Sequence, residues 1–257
     1  MNKVLSGLFL AGLLGTVAQA DIVRVEAGAG MWQNELEGSI TSKQLAGTGF
    51  DTFNSTLLGY DKESKGYAWV NIKHPVPALP NLRLEYAAID FSGTSTQSFT
   101  YRSVTYSASA TTSLTMDQFD AIMYYNILDN TAWLTLDLGL DVKVIQSEFN
   151  AADSIGNVIH EKETLPIPMA YTRARVEIPG TDIGLEGDMK YIAYKGSKFM
   201  DYRLKVDYVL ADIFPVDVGL EAGYRYQKLD VDGAEFDVDT SGKLEIDGFF
   251  VGAIVKF

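Results

Sequence analysis

Cysteine is missing from all 257 residues, histidine occurs twice and proline seven times. Without cysteine there is no disulfide framework, no thiolate zinc site and no thiol nucleophile, so hydrogen bonding and packing must hold the fold together. Long hydrophobic runs are missing as well. The longest, Val4 to Val17, falls short of the roughly 18 apolar residues that a spanning helix needs. A chain of this kind that lives in a membrane must cross it as strands. Basic residues are also too few: 21 Lys and Arg stand against 34 Asp and Glu, a net charge of −13, which argues against nucleic-acid binding.

The run Val4–Val17 follows Lys3 and ends at Ala18-Gln19-Ala20, the pattern of a secretory signal peptide cleaved after Ala20. Residues 1–20 are therefore expected to be removed, leaving 21–257 as a single domain. Loss of Lys3 leaves 20 basic and 34 acidic residues, a net charge of −14. No cysteine follows the cleavage point, which excludes a lipoprotein anchor.

What the chain does have is 14 Tyr, 13 Phe, 3 Trp and 23 Gly, a composition that suits an aromatic-girdled β-barrel. The final stretch, Leu244–Phe257, is the clearest in kind. Phe249, Val251, Ala253, Val255 and Phe257 form an apolar row at period two, against Gly248, Phe250, Gly252, Ile254 and Lys256. Such a row would invite aggregation on a soluble edge but is required on a lipid-facing wall. The same alternation gives nine further strands at about 22–33, 66–74, 81–91, 116–127, 132–146, 166–178, 183–195, 200–210 and 216–228. In the fifth, Leu134, Leu136, Leu138, Leu140, Val142 and Val144 oppose Thr135, Asp137, Gly139, Asp141 and Lys143.

Ten segments of this length match the 9 to 11 residues of a tilted membrane strand. Connections are long after strands one, three, five and nine and short after two, four, six and eight; the short link after strand seven is the exception. The expected fold is an all-β, antiparallel, up-and-down transmembrane β-barrel of about ten strands, with short periplasmic turns and longer external loops. Within those loops, Phe50–Tyr60 suggests a short surface helix and 92–115 a raised hairpin. Asp129-Asn130 offers the turn between strands four and five.

The stretch His74-Pro75-Val76-Pro77-Ala78-Leu79-Pro80-Asn81-Leu82-Arg83-Leu84-Glu85-Tyr86 resembles a family of Gram-negative outer-membrane β-barrel proteins that carry a similar HPxPxLPN turn. The Gly28–Trp32 stretch and the GFFVGAIVKF end are similar too. The resemblance implies a barrel in the cell outer membrane, and no substrate or catalytic residue comes with it. Phe257 resembles the terminal signature by which such barrels are recognised for insertion, so the expected partners are outer-membrane lipid, lipopolysaccharide and the barrel-assembly machinery.

Candidates for chemistry are few. His74 precedes Pro75 at a periplasmic turn and reads as structural. His160, beside Asp153, Glu161 and Glu163, would be the base of a rim hydrolase, but general acid–base work needs a positioned partner. Residues 237–245 follow nine positions of a calcium loop, yet position twelve is Gly248 rather than Glu, so at most a weak divalent cation is expected at the last external loop. Gly28-x-Gly30 has no helix after it and is not a nucleotide signature; these glycines more simply let side chains from across the barrel approach a narrow wall. Neither an enzyme nor a cofactor is expected.

The lumen is where the residues commit themselves. A ten-stranded barrel leaves a gap of roughly 8 Å between side chains of facing walls, which long charged side chains can fill. A two-residue turn at Gly180-Thr181 sets Arg175 opposite Glu186 and Arg173 opposite Asp188. A turn centred on Ile213 pairs Lys205 with Glu221 and Asp201 with Arg225, whereas the neighbouring register would set Asp207 against Glu221. These pairs predict a largely closed lumen and a structural or surface-interaction role through the external loops. The alternatives are a narrow channel for ions or small solutes and, last, the rim hydrolase.

Overall fold

The computed structural model describes residues 23–43, 50–76, 78–101, 103–213, 215–232 and 240–257. The expected signal peptide and the start of the calcium-loop pattern, Asp237 included, lie outside the described residues. Alternation becomes strand wherever one face must be apolar and the other polar, because successive side chains point to opposite faces. The elements in chain order are β1 (Arg24–Lys43), β2 (Phe50–Asn54), the one-turn helix α1 (Ser55–Leu58), β3 (Glu63–Lys73), β4 (Asn81–Ala87), β5 (Asp90–Thr94), β6 (Phe99–Tyr101), β7 (Val104–Tyr106), β8 (Thr111–Thr131), β9 (Leu134–Ala152), β10 (Val158–Glu177), β11 (Ile183–Tyr194), β12 (Ser197–Ile213), β13 (Val216–Val231) and β14 (Thr240–Lys256).

Ten of these positions form a closed antiparallel barrel: β1, β3, β4 continued by β5, then β8 to β14 in order. Pairing of β14 with β1, from Glu26↔Lys256 to Ser42↔Thr240, closes the ring. The wall is apolar outside and charged inside. Leu140 is 64% exposed and Phe249 71%, while Asp137 and Lys143 are 0% exposed. That inverts the distribution of a soluble protein and is what a lipid-facing barrel wall requires.

Four expectations are corrected. First, the strands are longer than their alternation: β1 runs to Lys43, and β8, β9 and β10 have 21, 19 and 20 residues, so most of 147–163 is ladder rather than loop. Past the apolar belt no lipid selects an apolar row, and the pattern fades while the hydrogen bonds continue. Second, the turn after β8 falls at Ala132-Trp133, with Thr131 facing Leu134, not at Asp129-Asn130. Both turn residues have positive φ, 53° and 67°, the twist a two-residue hairpin demands. Third, 50–60 is strand β2 followed by a single helical turn, whose N-terminus is capped by the Asn54 side chain accepting from Leu57 N–H at 2.7 Å. Fourth, β12 and β13 adopt the register rejected above. Asp207 faces Glu221, with a bulge between Val209 and Ala211, and Lys205 faces Gly223.

One end of the barrel carries the short links from β3 to β4, β8 to β9, β10 to β11 and β12 to β13; the other carries the external elements. At the turn end the His74 ring accepts from Val76 N–H at Nδ1, 3.2 Å, and its Nε2 donates to Pro80 O at 2.9 Å. Asn81 Oδ1 accepts from His74 N–H at 3.0 Å. His74 thus pins the proline turn, as its sequence context implied. The opposite mouth is covered by α1 and the β6–β7 hairpin, where Leu58, Phe99, Tyr106, Ala110 and Ala151 form a small core of their own.

Candidate functional site

The inward row of each strand changes character along its length. Near the turn end it is charged: Arg83 and Glu85 on β4, Asp137, Asp141 and Lys143 on β9, Arg173 and Arg175 on β10, Glu186, Asp188 and Lys190 on β11, Asp201 to Asp207 on β12, all buried. Towards the other end it turns apolar. Trp32, Leu36, Ile89, Phe91, Met116, Ile145, Ile167, Phe199, Ile246 and Phe250 pack into one cluster. This apolar layer was not anticipated from a row read as polar. Its signal is there in retrospect, since Ile145 follows Lys143, and Ile167 and Met169 precede Arg173, on the same inward parity.

The charges lace the lumen from wall to wall. Glu85 on β4 receives Lys190 Nζ at 2.6 Å and Arg203 Nη2 at 2.9 Å. Lys143 on β9 reaches Asp201 on β12 at 3.1 Å as well as Asp120 at 2.6 Å. Gln227 Nε2 donates to Gln118 Oε1 at 2.7 Å, joining β13 to β8. Among the described residues eight buried cations meet nine buried carboxylates, so the set nearly neutralises itself and no field of one sign lines a path.

The expected pairs divide. Arg175 does face Glu186, and Arg173 faces Asp188, in the β10–β11 register, but Arg173 turns to Asp137, which it faces on β9, and to Glu186, while Arg175 reaches past β11 to β12. Arg173 binds Asp137 and Glu186 at 2.7 Å each. Arg175 lies 3.6 Å from Glu186 and holds Asp207 with two bonds of 2.5 and 2.9 Å. Asp188 takes Arg203 at 2.8 Å. Lys205 and Glu221 meet at 3.2 Å, and Arg225 and Asp201 at 2.6 Å, in a register that does not place them opposite. Long side chains reach diagonally, and Asp207 tolerates facing Glu221 because each has its own cations: Arg175 and Lys256 for the first, Lys205 for the second.

Glycines make room for the centre of this network. Trp69 and Tyr67 on β3 lie flat across β1 and β14 to reach Glu221 on β13, donating to Oε1 at 3.0 and 2.8 Å. The inward positions they cross are Gly28, Gly30 and Gly252. A Cβ at Gly28 would stand 2.5 to 2.8 Å from the Trp69 ring, and one at Gly252 would collide with the Tyr67 hydroxyl. Arg83 and Lys205 sit over the Trp69 ring, each 4.5 Å from its centroid.

The groups a rim hydrolase would use are not assembled around one base. His160 lies in β10 opposite Asn150, with Nδ1 2.5 Å from Asn150 Oδ1 and 3.5 Å from Glu148. Asp153 instead closes the β9–β10 hairpin, accepting from the N–H groups of Ser107, Ile155 and Asn157. Burial raises its pKa, but those donors outweigh it and hold the carboxyl below its ordinary value. The Tyr101 hydroxyl donates to Glu161 at 2.5 Å. Thr240–Glu245 of the calcium-loop pattern belong to β14, and Glu245 is held by Lys228 and by Tyr226 at 2.8 Å. Among the described residues no group of three or more His, Cys, Asp or Glu is placed to hold a metal ion.

No protein-family model and no curated protein matches the sequence. Solved structures do. The outer membrane protease OmpT from Escherichia coli is 12% identical, with 93% of this chain and 97% of that one covered at a TM-score of 0.47. The translocator domain of the autotransporter NalP from Neisseria meningitidis is 12% identical, with 96% and 94% covered at 0.39. Neisserial surface protein A is 13% identical, with 91% and 95% covered at 0.32.

Proposed function

We propose that the chain is an integral outer-membrane β-barrel protein with a closed lumen, serving a structural or surface-interaction role through the elements at its external end, and not as an enzyme. The observation that carries this reading is the lacing of Glu85 to Lys190 and Arg203 across the lumen, beneath a second, apolar layer. The exposed apolar rows support residence in outer-membrane lipid and lipopolysaccharide. The row on β14 ending at Phe257 supports delivery by the barrel-assembly machinery.

The test is conductance in a planar bilayer. The folded protein is expected to give no steady unitary currents; steady currents would replace this reading with that of a narrow channel. Cysteines at Ser55, Ser103 and Asp153 should be labelled by an impermeant maleimide on intact cells, and cysteines at Ala78 and Asp212 should not. On an unheated denaturing gel the folded barrel should migrate faster than after boiling.

A further inference from the structure

Among the described residues the wall loses its ladder at more than one joint: β10 and β11 pair only as far as Ala170↔Tyr191, although β11 runs to Tyr194, and β3 and β4 part in the same way. β4 pairs with β3 as far as Tyr67↔Ala87, and the last link is Ala88 N–H to Gly66 O at 3.0 Å. Past the bend at Ala88-Ile89, β5 pairs only with β8 and β3 only with β1. Among the described residues no backbone hydrogen bond joins 60–65 to 90–95. The seam is shut by side chains and a short strap instead. Lys65 Nζ meets Asp90 Oδ2 at 3.1 Å, the two side chains 30% and 46% exposed. Tyr60 stacks on Phe91 with ring centroids 5.9 Å apart. Gly59, at φ 72°, is pressed against the Thr94 backbone, and Gly93 against the carbonyls of Leu58 and Gly59, so closely that neither has room for a Cβ.

Lys65 shares the inward parity of Tyr67 and Trp69, whereas Asp90 lies on the face opposite Ile89 and Phe91, so their ion pair runs through the wall. Directly behind it are Ile89 and Phe91, both 0% exposed, in the cluster that includes Trp32 and Leu36. Outside it lies the end of the aromatic pair Tyr86–Phe119, 5.0 Å between centroids.

We propose that this seam opens laterally and that an acyl chain of the surrounding outer leaflet enters it to lie against Ile89, Phe91 and Trp32. The proposal rests on the outer-membrane reading above. The interior there is mainly apolar, which suits an alkyl chain, with the Tyr60 hydroxyl and Asn34 Oδ1 its buried polar atoms. The axial mouth is covered by α1 and the β6–β7 hairpin, so an apolar molecule must come from the side, where lipid is. Lys65, released from Asp90, then faces the phosphate of the headgroup.

The test uses the full-length barrel in nanodiscs whose lipids carry bromine on the acyl chains, in a Trp133→Phe background that removes the exposed indole at the other end. With Lys65→Cys and Asp90→Cys the seam is locked by oxidation and freed by reduction. Reduction is expected to cause loss of emission from the buried tryptophans, and oxidation to restore it. Emission indifferent to the state of the bridge overturns the proposal. If the bridge does not form, Lys65→Ala should lower the emission below that of the parent, and no change overturns the proposal equally. Loss of heat-dependent gel migration in the parent would instead remove the barrel reading itself.

Discussion

The turn-end half of the lumen and the far half are filled by opposite chemistry within one ladder. Around Glu85 every contact is an ion pair whose members would be costly to leave alone in a dry interior. Around Phe91 the contacts are apolar and interchangeable, and their worth scales with volume. The first half fixes which side chain meets which; the second only excludes water. A closed barrel needs both, because charges alone leave gaps at imperfect angles, such as the Arg83–Glu186 approach at 3.8 Å, while an apolar filling alone would not specify how the walls face each other.

The largest effect should come from breaking the charged half. Glu85→Ala leaves Arg83 only the 3.8 Å approach to Glu186 and takes one carboxylate each from Lys190 and Arg203. It is expected to cost about 3–5 kcal/mol, read from urea unfolding in lipid vesicles, with raised conductance beside it. A loss below that of an apolar truncation would show the two halves to be alike. In the apolar half, Ile145→Ala should cost about 2–5 kcal/mol, by the same unfolding, without opening a conducting path.

Next comes a test of pairing. Arg175→Glu should destabilise the barrel, and Asp207→Arg should recover more of the loss than Glu186→Arg, because the guanidinium lies 2.5 Å from Asp207 and 3.6 Å from Glu186. Equal recovery would restore the simple facing-residue rule. The smallest change is expected outside the lumen. Lys62→Ala removes a bridge of 2.7 Å to Glu35 between side chains 62% and 41% exposed, and solvent screening should leave the urea midpoint close to that of the parent.

Barrel class and strand number were legible because lipid imposes alternation on every strand that crosses it, as in Leu134–Val144. Strand ends were not, since β8 to β10 continue where no lipid selects their outward residues. Membership in the charged layer was legible residue by residue, Arg173, Arg175, Lys205 and Arg225 among them. Partnership was legible in part: Arg175 and Glu186, Lys205 and Glu221, and Arg225 and Asp201 are in contact. But Arg173 leaves Asp188 for Asp137 and Glu186, because a facing-residue rule counts two strands at a time, while Arg173 bridges β9 and β11 and Glu85 draws on β11 and β12. The Asp207↔Glu221 register shows the same limit: like charges facing each other are excluded only when neither has another cation in reach. The apolar layer was missed because the inward row of β9 was followed only to Lys143, one inward position short of Ile145, and Phe250 was taken as one residue of a mixed row rather than as a member of a set.

The reach of Tyr67 and Trp69 over Gly28, Gly30 and Gly252 to Glu221 has a consequence for how the protein forms. The β14–β1 joint is the one ladder between the two extremes of the chain, and such non-local pairing comes late in folding. The two rings cross that joint, from the second position of the ring of strands to the ninth, so they find their acceptor only once first and last strands have met. Trp69 is therefore a built-in reporter of the final step. Its emission should change in the slowest phase of refolding into bilayers, and Glu221→Gln should alter that phase while leaving earlier ones in place.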